Sequence, residues 1–359
     1  MKSAARAVAM LCLAGASLPA RRAQTAAQPA PTPSPNRQVL DGLSDLQLQR
    51  TMNLMRASLG VHCDYCHVVT EAEGWQWTRD DKESKRTARR MIRMVMALNR
   101  EQFDGRPVVS CNTCHRGATR PVLTASLPQA APPFPTPVAD RSGYPTVPSV
   151  LARYVSAVGG DAAARRLSEA KTVRLRGTRE SWDGTTLPFE LTRAGARVAV
   201  TLTTAKGEVR QVFDASGGWI RDEAGTRDMK PAEAENLREL ARAFRPFAPS
   251  DVGPGATVDG KARVGERDAW VIATEPDDRT HVRLFFDAQN GLLLRRIEER
   301  DGPVGRLPEQ LDLSDYRPVD GTTVPLVQRL SLVDPWTGST RRLEQVAIDG
   351  PVDEAVFRR

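Results

Sequence analysis

The chain has 359 residues, a formal net charge of +7 and 26% charged residues. This length predicts two or more domains. The positive balance favours acidic partners or anionic membrane surfaces, but no basic stripe with interleaved aromatic residues is present, so nucleic-acid binding is not expected.

The N-terminus has the pattern of an export signal. Lys2 and Arg6 precede an apolar run over residues 7–18, which is too short to span a membrane, and small residues follow. We therefore predict a signal peptide over residues 1–23. The Pro-, Ala- and Gln-rich stretch over residues 24–38 is predicted to be a disordered leader.

Two other export signals are not indicated. Leu11 stands before Cys12, where a lipoprotein signal has a small residue. Arg21 and Arg22 follow the apolar run, whereas a twin-arginine signal places them before it. We therefore expect a periplasmic or otherwise exported chain that is not an evident lipoprotein.

Two amphipathic helices are predicted next. Ser44 is a suitable N-cap for a helix that runs to about residue 58, and Gly60 ends it. A second helix is predicted over about residues 83–99. Apolar residues recur every three or four positions in both helices: Leu48, Met52, Met55 and Leu59 in the first, and Ala88, Met91, Ile92, Val95 and Leu98 in the second.

Each helix leads into the same five-residue motif. Cys63-Asp64-Tyr65-Cys66-His67 and Cys111-Asn112-Thr113-Cys114-His115 both have the C-x-x-C-H pattern of c-type haem attachment. Two thiols on one helical turn can add to the two vinyl groups of one porphyrin, and the following histidine supplies an imidazole to the iron. The sequence therefore predicts two covalently attached haem c groups. The expected attachment residues are Cys63, Cys66, Cys111 and Cys114, and the expected iron ligands are His67 and His115.

Three other uses of paired cysteines fit less well. A single four-thiolate zinc site leaves the histidine after each pair unexplained. A thioredoxin-like redox pair requires a βαβ context, whereas the surroundings here are helical and polar. Two structural disulfides are less favoured still.

The preceding helices offer a methionine for the second axial position of each iron. Both helices carry an M-x-x-M pair, and residues i and i+3 share a face, so periodicity does not select one methionine from each pair. Methionines at these positions are equally typical of core gaps. The candidates are Met52 and Met55, then Met91 and Met94. His62 is tethered beside its own haem and His281 lies in the other domain, so histidine is not expected there.

Two further features near the motifs have two interpretations each. Trp75 and Trp77 are candidates for packing on a haem edge, and they are equally typical of an ordinary core. The Lys- and Arg-rich run over residues 82–93 is typical of a solvated helix face, and it is also suited to docking an acidic redox partner.

The second half of the chain has a different pattern. A Pro- and Ala-rich stretch over residues 122–148 predicts a semi-rigid linker. Residues 149–359 begin with short helices and then alternate with a period of two, with turns such as Asp183-Gly184 and Asn290-Gly291. One helical insert is predicted over residues 231–244. We predict a multidomain chain with a small all-α dihaem domain over residues 39–121 and an α+β domain with a curled, half-barrel-like antiparallel sheet.

Residues 39–121 resemble the cytochrome c subunit of photosynthetic reaction centres and the shorter cytochromes grouped with it. The matching segments are Leu59 to His67, Ala88 to Val95 and Cys111 to Gly117. The resemblance implies axial methionines at Met52, eleven residues before the first cysteine, and at Met91 in the Ala-Arg-Arg-Met run. The family's namesake has two such haem pairs, whereas this chain has one. The resemblance therefore does not imply that the partner of this chain is a reaction centre.

The second domain resembles bacterial lipoprotein-carrier half-barrels. The likeness rests on a Tyr-Val-x-Ala-x-Gly-Gly helix pair from Tyr154, a strand ending at Gly177, and Asp320-Gly321-Thr322-Thr323-Val324-Pro325. In that family the concave face holds acyl chains. A purely structural or partner-docking sheet is an equal alternative, because no catalytic set or phosphate loop is evident, and His281 is expected to be an isolated, exposed strand residue.

Two functions fit these features. In the first, the chain is an electron carrier rather than an enzyme, and it passes single electrons between unidentified redox partner proteins through two His/Met-ligated haems. In the second, the β domain binds a lipid or quinone-like molecule, and the haems act as a sensor or as an oxidase or peroxidase centre. Contact of the C-terminal domain with a lipid or membrane surface is a further expectation.

Overall fold

The computed structural model describes residues 36–121, 142–214, 217–243, 247–333 and 338–359. These residues belong to one compact unit, Pro31–Arg359. The predicted signal peptide, nearly all of the predicted leader and most of the predicted linker lie outside the described residues. Among the described residues, no helix is both long and apolar enough to cross a membrane.

The haem-motif segment contains three helices and a small β-ribbon. Helix α1 is Asp45–Leu59, a 3₁₀ turn covers Cys63–Tyr65, and strands β1 and β2 are Val68–Thr70 and Gly74–Gln76. Helix α2 is Glu83–Gln102 and helix α3 is Cys111–His115. The ribbon pairs antiparallel, with Val69 opposite Trp75. An all-α segment was therefore not the correct prediction, because the residues after the first motif form this ribbon.

Local signals define α1 as the sequence predicted. The Ser44 hydroxyl accepts from the Gln47 amide at 3.2 Å, and the Ser44 amide donates to Gln47 Oε1 at 3.0 Å, which is a capping box. At the other end, Gly60 adopts a left-handed conformation with φ +68°, where a side chain would be strained.

The buried face of α2 differs from the predicted one. Its fully buried residues are Lys85, Arg89, Ile92, Val95 and Asn99, whereas Met91 and Leu98 are exposed. The buried polar side chains have partners in distant segments: Lys85 donates to Trp77 O and Arg79 O, Arg89 pairs with Asp80, and Asn99 bonds the main chain of Val109. These partners compensate the cost of burial. The buried face is therefore rotated, so that Ile92 and Val95 stay inside while Met91 and Leu98 are exposed.

The second half is one antiparallel sheet covered by helices. Helices α4 and α5 are Val147–Val158 and Asp161–Glu169, and α6 is Pro231–Ala243. The strands are β3 Thr172–Ser181, β4 Thr186–Ala194, β5 Arg197–Thr204, β6 Gly207–Asp214, β7 Gly217–Asp222, β8 Gly225–Asp228, β9 Thr257–Val264, β10 Arg267–Asp277, β11 Thr280–Asp287, β12 Leu293–Gly302, β13 Gly305–Val319, β14 Thr322–Leu332 and β15 Ser339–Ile348.

The strand order shows an open sheet. Within the described residues it runs β8-β7-β6-β5-β4-β3-β15-β14-β13-β12-β11-β10-β9, so two meanders meet where β3 pairs with β15. The sheet is neither closed nor curled, and the predicted half-barrel was wrong in this respect. Its apolar face is covered by helices instead: Tyr154 of α4, Leu167 of α5 and Leu237 of α6 are buried in one cluster with the strand side chains.

The haem-motif segment packs directly on this sheet. Leu40, Leu54, Ile92 and Val304 form a buried group that we call the junction cluster. Val304 is at the tip of the β12–β13 hairpin and only 1% of its surface is exposed. At the N-terminus of α1, Ser44 Oγ donates to Glu235 Oε2 of α6 at 2.6 Å. Apolar and polar contacts therefore join the two parts.

Candidate functional site

The first motif forms one tight turn directly after α1. The amides of Cys66 and His67 donate to the carbonyl oxygen of Cys63 at 3.2 and 2.9 Å. This turn places the Cys63 and Cys66 thiols on one short segment with His67 after them. Both thiols are free. Burial raises the pKa of the Cys66 thiol.

The β-ribbon places an indole beside His67. The Trp77 ring lies 5.0 Å from the imidazole, edge to face, and Trp75 stacks on Trp77 with centroids 4.7 Å apart. Both tryptophans are about half exposed, so they are not ordinary core residues. Within the described residues, the buried Nδ1 atom of His67 has no hydrogen-bond partner. Burial, and then the charge of Lys85, lower the pKa of His67.

The second motif is a separate short helix with defined ends. At its start, the Ser110 amide donates to Thr113 Oγ1 at 3.0 Å, and at its end Arg116 is left-handed with φ +49°. His115 Nδ1 lies 2.9 Å from the carbonyl oxygen of Ala118. Because a carbonyl oxygen can only accept, Nδ1 carries the proton, and the lone pair of Nε2 is available to bind a metal ion. Burial raises the pKa of the Cys111 thiol.

The two motif units are joined at a pair of glycines. The Gly117 amide, just after α3, donates to the Ser58 carbonyl in the last turn of α1 at 2.8 Å. A side chain at Gly60 would overlap the carbonyl oxygen of Gly117. The close approach therefore depends on Gly60 having no side chain.

The four cysteines of the described residues all have free thiols. In the same part of the chain, no group of three or more His, Cys, Asp or Glu side chains is arranged to hold a metal ion.

The four candidate methionines differ in their surroundings. Met55 packs against the junction cluster, whereas Met52 is half-buried and lies outside the apolar clusters of the described residues. Met91 and Met94 are both exposed, by 44% and 53%. Packing thus distinguishes Met52 from Met55, because only Met55 is engaged in the core, and it does not distinguish Met91 from Met94.

The apolar surface of the described residues is concentrated around the motifs. Its exposed large apolar side chains are Tyr65, Val69, Trp75, Trp77, Met91, Met94, Met96, Leu98 and Val108, with Trp182 in the turn after β3. Single apolar residues scattered over a surface are normal, but nine of these ten lie within residues 65–108, which is a notable concentration. It fits a segment that carries an apolar porphyrin, because the thiol turns and the apolar side chains lie in the same stretch of about 50 residues.

His281 is not the isolated strand residue that the sequence predicted. Its Nδ1 atom lies 3.0 Å from Glu275 and its Nε2 atom lies 3.5 Å from Asp301. It lines a cleft of about 840 Å³ to which α1 and the segment before α3 also contribute, including Ser110. Sequence reasoning missed this position because it depends on the strand register and on the docking of the haem-motif segment.

A second feature without a sequence signal lies between α6 and the sheet. Arg242 bonds Glu298 at 2.7 Å and Arg300 bonds Glu298 at 2.8 Å, while Glu239 accepts from both arginines. Burial alone would raise the pKa of Glu298, but the charges of Arg242 and Arg300 outweigh it and lower that pKa. Arg50 of α1 lies 3.7 Å from Glu239, so this network also contacts the haem-motif segment.

Comparison with known proteins finds a family that the first half of the chain resembles. The family model described as the photosynthetic reaction centre cytochrome c subunit matches residues 7–178. Cytochrome c-554 of Chloroflexus aurantiacus is 35% identical over 89 residues, which are 23% of this chain and 20% of that protein. The match thus spans about a fifth of that relative's length. The resemblance predicted from the sequence is confirmed, and this family implies covalently bound haem c.

The second half has solved structural neighbours of low similarity. An outer membrane lipoprotein-sorting protein domain from Vibrio parahaemolyticus is 9% identical, with 54% of this chain and 94% of that chain covered and a TM-score of 0.36. A LolA superfamily protein from Nitrosomonas europaea is 10% identical, with 60% and 98% covered and a TM-score of 0.39. The predicted likeness is found, but at these TM-scores it carries no argument about function.

Proposed function

We propose that this chain, whose residues 7–178 match the reaction centre cytochrome c subunit family, is an exported dihaem c-type cytochrome that passes single electrons between redox partners. The observation that carries the proposal is the pair of separately built C-x-x-C-H turns, each with two free thiols and a histidine directly after them. One haem per turn uses every cysteine of the described residues.

The residues at each turn have distinct tasks. Cys63 and Cys66 hold the first porphyrin through thioether bonds, and Cys111 and Cys114 hold the second. His67 and His115 each supply one imidazole nitrogen to an iron. The Ala118 carbonyl holds His115 in the tautomer that presents Nε2. The haem supplies the one-electron chemistry, and the protein supplies orientation and exclusion of water.

Met52 and Met91 are the proposed sixth ligands. A thioether ligand would favour the ferrous state and raise the reduction potential, and an iron held by both a histidine and a methionine would transfer electrons without binding a substrate. Packing supports Met52, because Met55 is engaged in the junction cluster. Support for Met91 over Met94 comes from the family resemblance alone.

A reduced-minus-oxidised spectrum with a pyridine haemochrome count tests this proposal. We expect two covalent haems and the weak methionine–iron band in the far red. Met52→Ala and Met91→Ala should each remove part of that band, whereas the matched controls Met55→Ala and Met94→Ala should preserve it. Fewer than two haems, or the absence of the band in the unaltered protein, would contradict the ligation and favour an open iron.

The proposed partners are acidic redox proteins. Arg86, Arg90 and Arg93 are exposed and form what we call the basic face of α2, close to the exposed Met91 and Met94. Lys85 and Arg89 of the same run are buried, so only part of it is solvated. A basic surface beside a redox centre accelerates encounter with an acidic partner.

A lipid- or quinone-binding sheet, with the haems as a sensor or catalytic centre, is the alternative function. Among the described residues, the cavity under the apolar face of the sheet, lined by Leu293, Tyr316 and Val346, has a volume of only about 60 Å³. An acyl chain or a quinone ring would enter this space only if the side chains that line it moved apart. The cavity therefore gives this alternative no support.

A further inference from the structure

The tip of the β12–β13 hairpin reaches the second haem motif. Gly302 pairs with Gly305, so Pro303 and Val304 form the turn. Val304 is buried among Leu54 and Ile92 of the junction cluster, and Cys111 packs against the same cluster. A cysteine expected to carry haem therefore shares its apolar surroundings with a residue of the sheet.

Gly305 brings the main chain of the hairpin against the start of α3. A Cβ atom at residue 305 would lie 2.7 Å from Ser110 Cβ and 3.3 Å from a methyl group of Leu54. Real Cβ atoms do not approach other atoms to 2.7 Å, so even an alanine at this position would displace Ser110. Because Ser110 is the N-cap of α3, the displacement would be transmitted to Cys111.

Polar contacts hold the base of the hairpin in place. Arg306 Nε donates to Asp301 Oδ1 at 2.9 Å, and the Asp301 amide donates to the Arg279 carbonyl at 2.8 Å. Asp301 Oδ1 also lies 3.5 Å from His281 Nε2. The base of the hairpin is thus held by contacts within the sheet.

We propose that Val304 and Gly305 are positioning residues for the second haem, so that the sheet sets the reduction potential of this haem and not that of the first. The proposal rests on the proposed function, because it requires haem at Cys111 and Cys114. Burial is one of the means by which proteins tune haem potentials. Excluding water disfavours the more highly charged ferric state, so an intact tip raises the potential of the second haem.

A redox titration followed by visible spectra tests this inference. Gly305→Ala should lower one of the two midpoint potentials and leave the other unchanged. The matched control is Gly207→Ala in the β5–β6 turn, because Gly207 also has a positive φ (+121°, against +141° at Gly305) but a Cβ there meets no atom within 4 Å. The control should change neither potential.

Two further variants keep the outcome interpretable. In a chain with Cys111→Ser and Cys114→Ser, the remaining potential belongs to the first haem, and Gly305→Ala should not move it. If Gly305→Ala fails to fold, Val304→Ala provides the milder change and should shift the same potential in the same direction. Unchanged potentials in the variants, or equal shifts of both haems, would overturn the inference. A haem count below two in the unaltered protein would instead overturn the proposed function.

Discussion

Gly60→Ala adds only one methyl group, yet we expect it to lower the free energy of unfolding substantially. Gly60 ends α1, precedes the first motif and lies against the Gly117 carbonyl just after the second motif. An alanine cannot occupy this space unless Gly117 moves. That movement breaks the 2.8 Å hydrogen bond from the Gly117 amide to Ser58 O.

The expected loss has two contributions. A left-handed conformation costs an L-residue about 1–2 kcal/mol. Loss of the main-chain hydrogen bond costs about 1–2 kcal/mol more, because a buried acceptor on Ser58 is left unsatisfied. We therefore expect Gly60→Ala to lower the free energy of unfolding by about 2–4 kcal/mol.

Urea denaturation of the haem-loaded protein, followed by far-ultraviolet circular dichroism, measures this loss. Gly105→Ala is the matched control: Gly105 has φ +78°, but a Cβ there meets no atom within 4 Å, so its cost is limited to the conformational part of about 1–2 kcal/mol. Equal losses in the two variants would refute the argument from close approach.

Three other predictions concern different parts of the molecule. Leu54→Ala should lower the free energy of unfolding by about 2–5 kcal/mol, because it leaves a cavity in the junction cluster; a loss below about 1 kcal/mol in urea denaturation would show that the cluster collapses around the change. Because the pKa of Glu298 is lowered in the folded state, its contribution to stability is present above the unfolded value of 4.5 and is lost as pH falls below it. As the pH is lowered through this range, the free energy of unfolding of Glu298→Gln should therefore fall less steeply than that of the unaltered protein. Charge reversal at Arg90 should slow electron transfer to an acidic acceptor at low ionic strength and have little effect at high salt. If stopped-flow rates at low salt do not respond to the substitution, the acceptor does not dock through the basic face of α2.

Local features of the fold were predictable from the sequence. The capping box at Ser44, the left-handed Gly60 and the two C-x-x-C-H turns depend on residues within a few positions of one another. Their structures follow from backbone and side-chain preferences that operate over that distance. The strands with clear alternation, such as β3 and β5, were predicted for the same reason.

Features that depend on distant partners were not predictable. Periodicity alone places Met91 and Leu98 on the inner face of α2, because it cannot include Asp80 and the carbonyl oxygens that allow Lys85 and Arg89 to be buried. The position of His281 and the insertion of Val304 into the junction cluster likewise depend on strand register and docking. The order of the strands in the open sheet depends on the pairing of β3 with β15, which are far apart in the chain, and the alternation of the strands does not reveal this pairing.

An open sheet exposes two edge strands, and both are poor templates for strand addition. Strand β8 has only four residues, all of them exposed. Strand β9 has a register shift opposite Val271 and Ile272, where Gly260 has φ +142°, and Tyr144 lies over that glycine. Short, bulged and covered edges are the means by which proteins prevent edge-to-edge aggregation. A protein with so extensive a sheet can therefore remain unassociated at its edges.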